Sequence, residues 1–322
     1  MMAVFTEVDA RDLEDFWGQY DLGEVESLKG IAEGVENSNF FVETASARYI
    51  LTLFEKRVAE KDLPYFVGLM DHVAQAGFAC PQPMWTKTGH AIGRLSERPA
   101  LVTSFLPGLA VRRPSVADCA SLGQALGRFH EATKGFGGKR PNNLSRGSWQ
   151  AMHEPIAEAV AARNKDWARL AEETLQKLHD DWPSGLPMGH IHADLFPDNV
   201  FFRHGEVSGF IDFYFACEDM LAYDLAICIN AWCFEGDGSL NVTKSAAFLN
   251  SYSQLRPLDP SEKEALPLLA LGAALRFFLT RAHDVINHDP SWLVTPKDPN
   301  EYAHRMRTHL RARSAQDYGL WS

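Results

Sequence analysis

The feature that most constrains the fold of this chain is a polar loop in its second half. Residues 190–199 read HIHADLFPDN, in which Asp194 stands five residues before Asn199. Asn199 begins an apolar run, and a charged turn at 203–206 leads to a second apolar run that ends at Asp212. Two apolar runs around a short turn that contains Gly predict a β-hairpin. This hairpin would hold Asn199 close to Asp212, with Asp194 on the loop before it.

This set of side chains suits phosphoryl transfer from a nucleotide. One carboxylate can orient the attacking hydroxyl, while an Asn and a second carboxylate hold the magnesium ion that bridges the phosphates. His, Asp and Asn also stabilise ordinary turns, so the loop alone leaves both interpretations open. The hairpin and the sequence Ile211-Asp212-Phe213 at its end favour the chemical interpretation.

Composition narrows the class of protein. The 322 residues carry a net charge of −11 and no cluster of Lys and Arg, which argues against nucleic acid and anionic membranes as partners. The apolar fraction of 46% predicts a globular fold, and no run is expected to reach the ~18 apolar residues of a membrane span. The N-terminus lacks a signal peptide pattern, and five cysteines without a CxxC pair indicate reduced thiols. We therefore expect a cytoplasmic protein.

Hydrophobic periodicity divides the chain into a mixed first part and a helical second part. The strands predicted in the first part are 27–31, 39–44, 48–54 and 101–106, and the helices are 9–20 and 62–77, with Asp9 and Asp62 as N-caps and Gly77 as terminator. The helices predicted in the second part are 116–135, 149–182, one that begins near 222, 242–254, 261–287 and 299–313. This order of elements predicts an α+β protein.

The loop and hairpin resemble the catalytic loop and metal-binding Asp of protein kinases, in the form H-x-D-x-x-x-x-N instead of H-R-D. They resemble more closely the aminoglycoside phosphotransferase and choline kinase branch of that fold. The resemblance implies a two-lobed, protein-kinase-like α+β fold, with a mostly β nucleotide-binding lobe at 1–106 and a larger, mostly helical catalytic and substrate-binding lobe at 107–322. It also implies ATP and Mg²⁺, with Asp194 as the catalytic residue and Asn199 and Asp212 as metal ligands.

The resemblance assigns further residues by their position. His192 and Asp224 would support the catalytic loop. The nucleotide-binding residues that it implies are Asn37, Ser38 and Asn39 in the turn at 32–39, Thr52 on the third strand, and Ser104 and Leu106 beside Pro107-Gly108. The turn contains a single Gly, and the chain has no G-x-x-x-x-G-K-[ST] sequence, so a P-loop kinase is unsupported.

One position departs from the kinase pattern. Kinases carry a Lys, or in choline kinases an Arg, on the third strand, where it binds phosphates and pairs with a Glu on the next helix. This sequence has Thr52 there, and the helix at 62–77 contains no Glu. The phosphate charge would then be neutralised by magnesium, by backbone N–H groups, or by a basic residue such as Lys29 or Arg57. The departure leaves open a nucleotide-binding module without catalysis, although the intact loop favours an enzyme.

Several stretches narrow the resemblance to one substrate. Residues 49–55, 69–74, 190–199, 275–281 and 297–299 resemble the homoserine kinases built on the aminoglycoside phosphotransferase fold. That resemblance implies ATP-dependent phosphorylation of the side-chain hydroxyl of L-homoserine, giving O-phospho-L-homoserine on the route to threonine. Choline, an aminoglycoside or a sugar remains an alternative acceptor.

An amino acid acceptor calls for two charged contacts. Its carboxylate would bind an Arg and its ammonium an acid, because such pairs form strong charge-assisted hydrogen bonds. Arg276 lies on one helical face with Thr280 and His283, and we expect it to bind the carboxylate. A solvated polar face is the competing interpretation of that pattern. Glu218 is the candidate for the ammonium.

Overall fold

The structure, a computed structural model, describes residues 6–31, 37–55, 58–288 and 295–321. The chain divides into two compact units. The first comprises residues 1–107 with 136–138, and the second comprises 108–135 with 139–322. Which unit binds nucleotide and which binds the acceptor stays a prediction, since compactness does not reveal a ligand.

The first unit is a twisted antiparallel sheet with two helices. Its elements are α1 (Ala10–Trp17), β1 (Val25–Gly30), β2 (Asn37–Thr44), β3 (Arg48–Phe54), α2 (Leu63–Gln75), β4 (Ile92–Leu95) and β5 (Arg98–Ser104). The strands follow the order β1-β2-β3-β5-β4. Burial alternates along most of β2, whereas residues 51–54 of β3 are all buried. Val42, Leu51 and Leu53 form a core with Phe16 and Trp17 of α1. The sequence therefore predicted the elements of this sheet, except β4.

Helix boundaries in the first unit follow local chemistry. Asp9 caps α1 as predicted, with its Oδ1 accepting from the N–H of Arg11 at 2.8 Å. Asp62 directly precedes α2, as predicted, but its side chain makes no capping hydrogen bond. Asp62 lies in a 3-10 turn, Glu60–Asp62, and already has helical backbone angles, whereas an N-cap needs an extended backbone. Gly77, with φ +85°, follows the end of α2 as predicted.

The second unit is mostly helical. Its strands are β6 (Leu109–Ala110), β7 (Met188–Ile191), β8 (Val200–Arg203), β9 (Glu206–Phe210) and β10 (Cys217–Met220). Its helices are α3 (Val116–Ala132), α4 (Arg146–His153), α5 (Ala157–Arg163), α6 (Lys165–Asp181), α7 (Leu221–Trp232), α8 (Val242–Ser253), α9 (Pro260–Ile286) and α10 (Asn300–Arg311). The α+β prediction is confirmed.

The continuous helix predicted for 149–182 is wrong. The segment forms α4, a 3-10 turn at Glu154–Ile156, then α5 and α6. Pro155 starts a new turn, because it cannot donate to the helix before it. Asn164 is extended and caps α6 by accepting from the N–H groups of Asp166 and Trp167. Apolar spacing continues across these breaks, which is why periodicity alone missed them.

The hairpin predicted next to the polar loop is confirmed. β8 and β9 pair antiparallel, with Val200 opposite Phe210 and Arg203 opposite Glu206. His204 and Gly205 both have positive φ, 54° and 82°, which matches the twist that a two-residue hairpin turn requires. β7 lies before the loop, β10 lies after the hairpin, and the two strands pair antiparallel. This pair was not predicted from the sequence.

Helix α9 is the central helix of the second unit. It is long and apolar enough to cross a membrane by length and composition, but 89% of that apolar window is buried inside the protein. This burial is typical of a core helix. The five cysteine thiols are also buried and free, which agrees with the reduced thiols expected from the sequence. Cytoplasmic location stays a prediction.

Candidate active site

The polar loop brings Asp194 and Asn199 into direct contact. The side-chain nitrogen of Asn199 donates to the Asp194 carboxylate at 3.0 Å and to the Asp194 carbonyl at 2.7 Å. The short 3-10 turn Pro197–Asn199 returns the chain so that this contact can form. Because both contacts use the amide nitrogen, the amide oxygen of Asn199 is directed elsewhere. Asp194 is partly exposed, as a group that contacts a substrate must be.

The hairpin brings Asn199 next to Asp212. The N–H of Ile211 donates to the carbonyl of Asn199 at 3.0 Å, which joins the two ends of the hairpin one residue before Asp212. Asp212 is exposed and has a left-handed backbone, with φ 62° and ψ 64°. A non-Gly residue there costs on the order of 1 kcal/mol or more, and such strain concentrates at functional sites. The three residues that the sequence singled out therefore meet at one end of the hairpin.

A buried carboxylate holds the backbone of the loop. Asp224, in the first turn of α7, accepts from the N–H groups of His192 and Ala193, both at 2.9 Å. Burial works against its ionisation, but hydrogen bonds from His130 and from the loop backbone lower the pKa of Asp224 overall. His130 lies 3.2 Å from this carboxylate, and its other ring nitrogen contacts the Tyr252 hydroxyl at 2.8 Å. His130 was not predicted from the sequence, where its signal was a polar residue on the apolar face of the helix that became α3.

His192 contacts the backbone instead of a substrate. Its Nε2 donates to the carbonyl of Ile211 at 3.0 Å, which ties the loop to the end of the hairpin. Burial lowers the pKa of His192 to about 4, so the ring is neutral near pH 7. Phe213 packs on it with ring centres 4.9 Å apart. This geometry agrees with the supporting role expected for His192.

Arg276 contacts the loop from the other side. Only 2% of the residue is exposed, and its Nη1 donates to the carbonyl of Ala193 at 2.6 Å. The guanidinium also lies over the rings of Phe277 and Phe215, with centroid distances of 4.5 and 5.6 Å. The solvated polar face considered for this helix is therefore wrong at Arg276. The guanidinium is thus buried and has a hydrogen-bond partner inside the protein. The structure gives no support to the prediction that Arg276 binds a substrate carboxylate, which stays a prediction.

Glu218 lies on β10, opposite His190 of β7. Its backbone N–H donates to the carbonyl of Arg140 at 2.7 Å, and its side chain is partly exposed. The neighbouring Asp219 is buried, with Asn142 donating to it at 2.7 Å. Ammonium binding by Glu218 stays a prediction.

The nucleotide-binding residues assigned to the first unit are bonded within the sheet. Thr52 is buried and donates to the side chain of Asn39 at 2.8 Å, its cross-strand partner. Ser38 is fully buried and donates to Glu55 at 2.8 Å. Asn37 accepts from the N–H of Glu55 at 3.4 Å. Residues 32–36 of the turn, and Arg57, lie outside the described residues.

The remaining nucleotide assignments lie where β5 ends. Ser104 is its last residue, and its hydroxyl accepts from the N–H of Gln82 at 2.9 Å. Leu106 is partly exposed, two residues further on. Nucleotide binding by these residues stays a prediction.

The donor atoms at Asn199 and Asp212 fit a magnesium ion. Mg²⁺ prefers amide and carboxylate oxygens and keeps water and phosphate oxygens as its other ligands. An amide oxygen and an exposed carboxylate at adjoining ends of the hairpin supply such a pair. Among the described residues no group of three or more His, Cys, Asp and Glu could hold a metal ion.

Comparisons with known proteins identify the family of this chain. The model of the Phosphotransferase enzyme family matches residues 27–258. The chain belongs to this family. It is 52% identical to a homoserine kinase of Parvibaculum lavamentivorans over 319 residues, 99% of each chain, and 54% identical to one of Methylobacterium nodulans over the full length of both.

A solved structure shares the fold of this chain. An amicoumacin kinase in complex with AMP-PNP, Ca²⁺ and Ami is 18% identical, with a TM-score of 0.68 over 94% of this chain and 92% of that one. The protein-kinase-like fold expected from the loop is confirmed, as is the resemblance to homoserine kinases. The chain is an ATP-dependent phosphotransferase that acts on a hydroxyl group.

Proposed function

We propose that this protein is a homoserine kinase, which transfers the γ-phosphoryl group of ATP to the side-chain hydroxyl of L-homoserine. The product is O-phospho-L-homoserine, an intermediate of threonine biosynthesis. The observation that carries the proposal is identity of 52–54% with curated homoserine kinases along essentially the whole chain. The matched length spans the loop in which Asp194 and Asn199 make direct contact.

Asp194 is the proposed catalytic residue. Its carboxylate would accept a hydrogen bond from the acceptor hydroxyl and so aim the oxygen at the γ-phosphorus. The new O–P bond forms as the bond from the γ-phosphorus to the bridging oxygen of ADP breaks, and the hydroxyl proton passes to the carboxylate. The hydrogen bond from Asn199 fixes the direction of that carboxylate, which supports this role.

Asn199 and Asp212 are the proposed ligands of a magnesium ion. When bound, the ion would neutralise charge on the phosphate oxygens during transfer. Asp212 would present its carboxylate from an exposed, left-handed position, and Asn199 its amide oxygen from the start of β8. The oxygen chemistry of both groups supports magnesium over a softer metal.

Asp224, His192 and Arg276 are proposed to position the loop. Two backbone N–H groups bond to Asp224, a carbonyl accepts from Arg276, and His192 joins the loop to the hairpin. Catalysis by positioning loses rate steeply when a reacting group is displaced, so such supports act on turnover without touching substrate. We propose that the nucleotide binds to the first unit. We also propose that the acceptor is a small molecule and that the protein binds neither nucleic acid nor membranes.

An ADP-release assay with ATP, magnesium and a panel of acceptors tests the function. L-Homoserine should be turned over, while L-serine, choline and kanamycin should not. A preference for choline or kanamycin would overturn the proposed substrate and keep the reaction. ATP binding without turnover on any acceptor would overturn catalysis and favour a nucleotide-binding module.

A further inference from the structure

Three aromatic rings run from the catalytic loop towards α10. Phe196 packs edge-on against Phe277 with ring centres 4.9 Å apart, and Phe277 packs on Tyr302 at 5.3 Å. The N–H of Phe196 donates to the carbonyl of Asp194 at 2.8 Å, so this end is fixed to the loop. We call Phe196, Phe277 and Tyr302 the aromatic strip.

Basic side chains gather on the aromatic strip. The charged groups of Lys297, Arg276, Arg281 and Arg305 lie 4.3–5.4 Å from the ring centres, over Phe196, Phe277, Tyr302 and Tyr302 respectively. Glu301 is the acid among them, 2.8 Å from Arg281 and 4.0 Å from Arg305. Glu301 lies beside two of these four basic groups, and Lys297 over Phe196 is a further cation close to the loop, which suits an acceptor that carries an anionic group.

Tyr302 lies near both the basic side chains and the proposed catalytic carboxylate of Asp194. Burial raises the pKa of its phenol, the guanidiniums of Arg305 and Arg281 oppose that shift, and the carboxylate of Asp194 adds to it. One phenol therefore lies within the electrostatic reach of Asp194 and of both guanidiniums. A small acceptor whose hydroxyl meets Asp194 would have its far end near the aromatic strip.

Lys297 differs from the other basic groups in its availability. Arg276 donates to Ala193, and Arg281 donates to the carbonyl of Asp298 and to Glu301. Lys297 is exposed, and within the described ranges it forms no ion pair with a carboxylate. Its ammonium lies 5.4 Å from the ring centre of Phe196, two residues after Asp194.

We propose that Lys297 binds the carboxylate of the amino acid acceptor and so determines the preference for L-homoserine over amino alcohols. This inference rests on the proposed function, and it assigns to Lys297 the role expected at first for Arg276. An ammonium is a strong point-charge donor for a carboxylate, and the ring of Phe196 limits its freedom on the side away from the ligand.

The test compares L-homoserine with 3-aminopropan-1-ol, which is the same molecule without the carboxylate. Lys297→Met should lower kcat/KM for L-homoserine about 10- to 100-fold, mainly through KM, since a hydrogen bond to a charged group contributes this much. Its kcat/KM for 3-aminopropan-1-ol should stay within about twofold of the wild type. Lys297→Arg should restore much of the preference, and Lys165→Met, an exposed charge removal elsewhere in the same unit, should leave both acceptors unaffected.

The outcomes separate this inference from the proposed function. Turnover of L-homoserine by the wild type with an unchanged preference in Lys297→Met would overturn the role of Lys297 alone. An equal loss on both acceptors would also overturn it, because it would show a structural role. Failure of the wild type to phosphorylate L-homoserine would overturn the proposed function and this inference together.

Discussion

Arg276 donates to the carbonyl of Ala193 at 2.6 Å, although 83 residues separate the two in sequence. Ala193 has φ 63°, and its N–H donates to Asp224 on the other side of the same residue. The residue before Asp194 is thus held at both its donor and its acceptor. These bonds offset the backbone strain of a left-handed Ala, which is on the order of 1–2 kcal/mol.

Replacement of Arg276 separates loop positioning from substrate binding. Arg276→Met should lower kcat about 10- to 100-fold while KM for L-homoserine changes less than about threefold, because a displaced loop weakens transition-state positioning. Arg276→Lys should recover part of kcat, since an ammonium can still donate to Ala193. Steady-state kinetics decide the matter: a large rise in KM with unchanged kcat would restore the carboxylate-binding role.

The proposed catalytic role of Asp194 predicts a loss confined to turnover. Asp194→Asn should lower kcat about 10²- to 10⁴-fold, because an amide cannot take up the proton of the hydroxyl. Affinity for ATP, measured by calorimetry, should change less than about threefold. Asp198→Asn is the matched control, since Asp198 is exposed in the same loop and should tolerate the change. Comparable activity of the Asp194 and Asp198 variants would contradict the assignment.

Buried histidines should make the protein less stable in acid. Burial, aided by the charge of Arg305, lowers the pKa of His309 to about 3, and burial lowers the pKa of His192 to about 4. In the unfolded chain each ring takes up a proton near pH 6.5. Below that pH the unfolded state binds more protons than the folded state, so acid favours unfolding. The free energy of unfolding therefore keeps its full value above about pH 6.5. Below about pH 6.5 it falls by up to about 1.4 kcal/mol per pH unit for each histidine.

Urea unfolding between pH 7.5 and 5 measures this effect. His309→Gln can retain the contacts of His309 with Tyr318 and Asn230 but cannot titrate. The free energy of unfolding of this variant should therefore fall less steeply as the pH is lowered. The difference in slope should correspond to about one proton fewer taken up on unfolding. Parallel curves for the wild type and His309→Gln would show that His309 does not contribute.

Gly123 allows α3 to pack closely against α8. A Cβ at this position would lie 2.2 Å from the carbonyl oxygen of Phe248 and 3.0 Å from the backbone nitrogen of Tyr252. Gly123→Ala should lower the free energy of unfolding by about 1–3 kcal/mol, since backbone on both helices would have to move. Gly147→Ala, which meets open space in α4, should be neutral or stabilising by up to about 1 kcal/mol. Thermal unfolding of the pair tests this, and equal melting temperatures would contradict the packing argument.

Local sequence determined the hairpin and the loop before it. The turn at His204 and Gly205, the apolar runs on either side and the fixed spacing from Asp194 to Asn199 act over a few residues, so their pattern predicted which groups would meet. The same holds for β2, β3 and the helices α8, α9 and α10, whose predicted ranges agree with the observed ones to within about two residues. The family resemblance came from this local pattern too.

Tertiary structure decided which charged side chains are available to ligands. On its helix Arg276 resembled an exposed basic residue, but packing buries it and directs it to Ala193. Lys297 approaches Phe196 from 101 positions further along the chain, and Asp224 reaches the loop from a helix start. Burial and long-range hydrogen bonds arise only when distant elements pack, so no local pattern encodes them. Sequence therefore determined the loop and hairpin of the proposed reaction centre, and only the tertiary structure decided which residues support them and which remain exposed beside them.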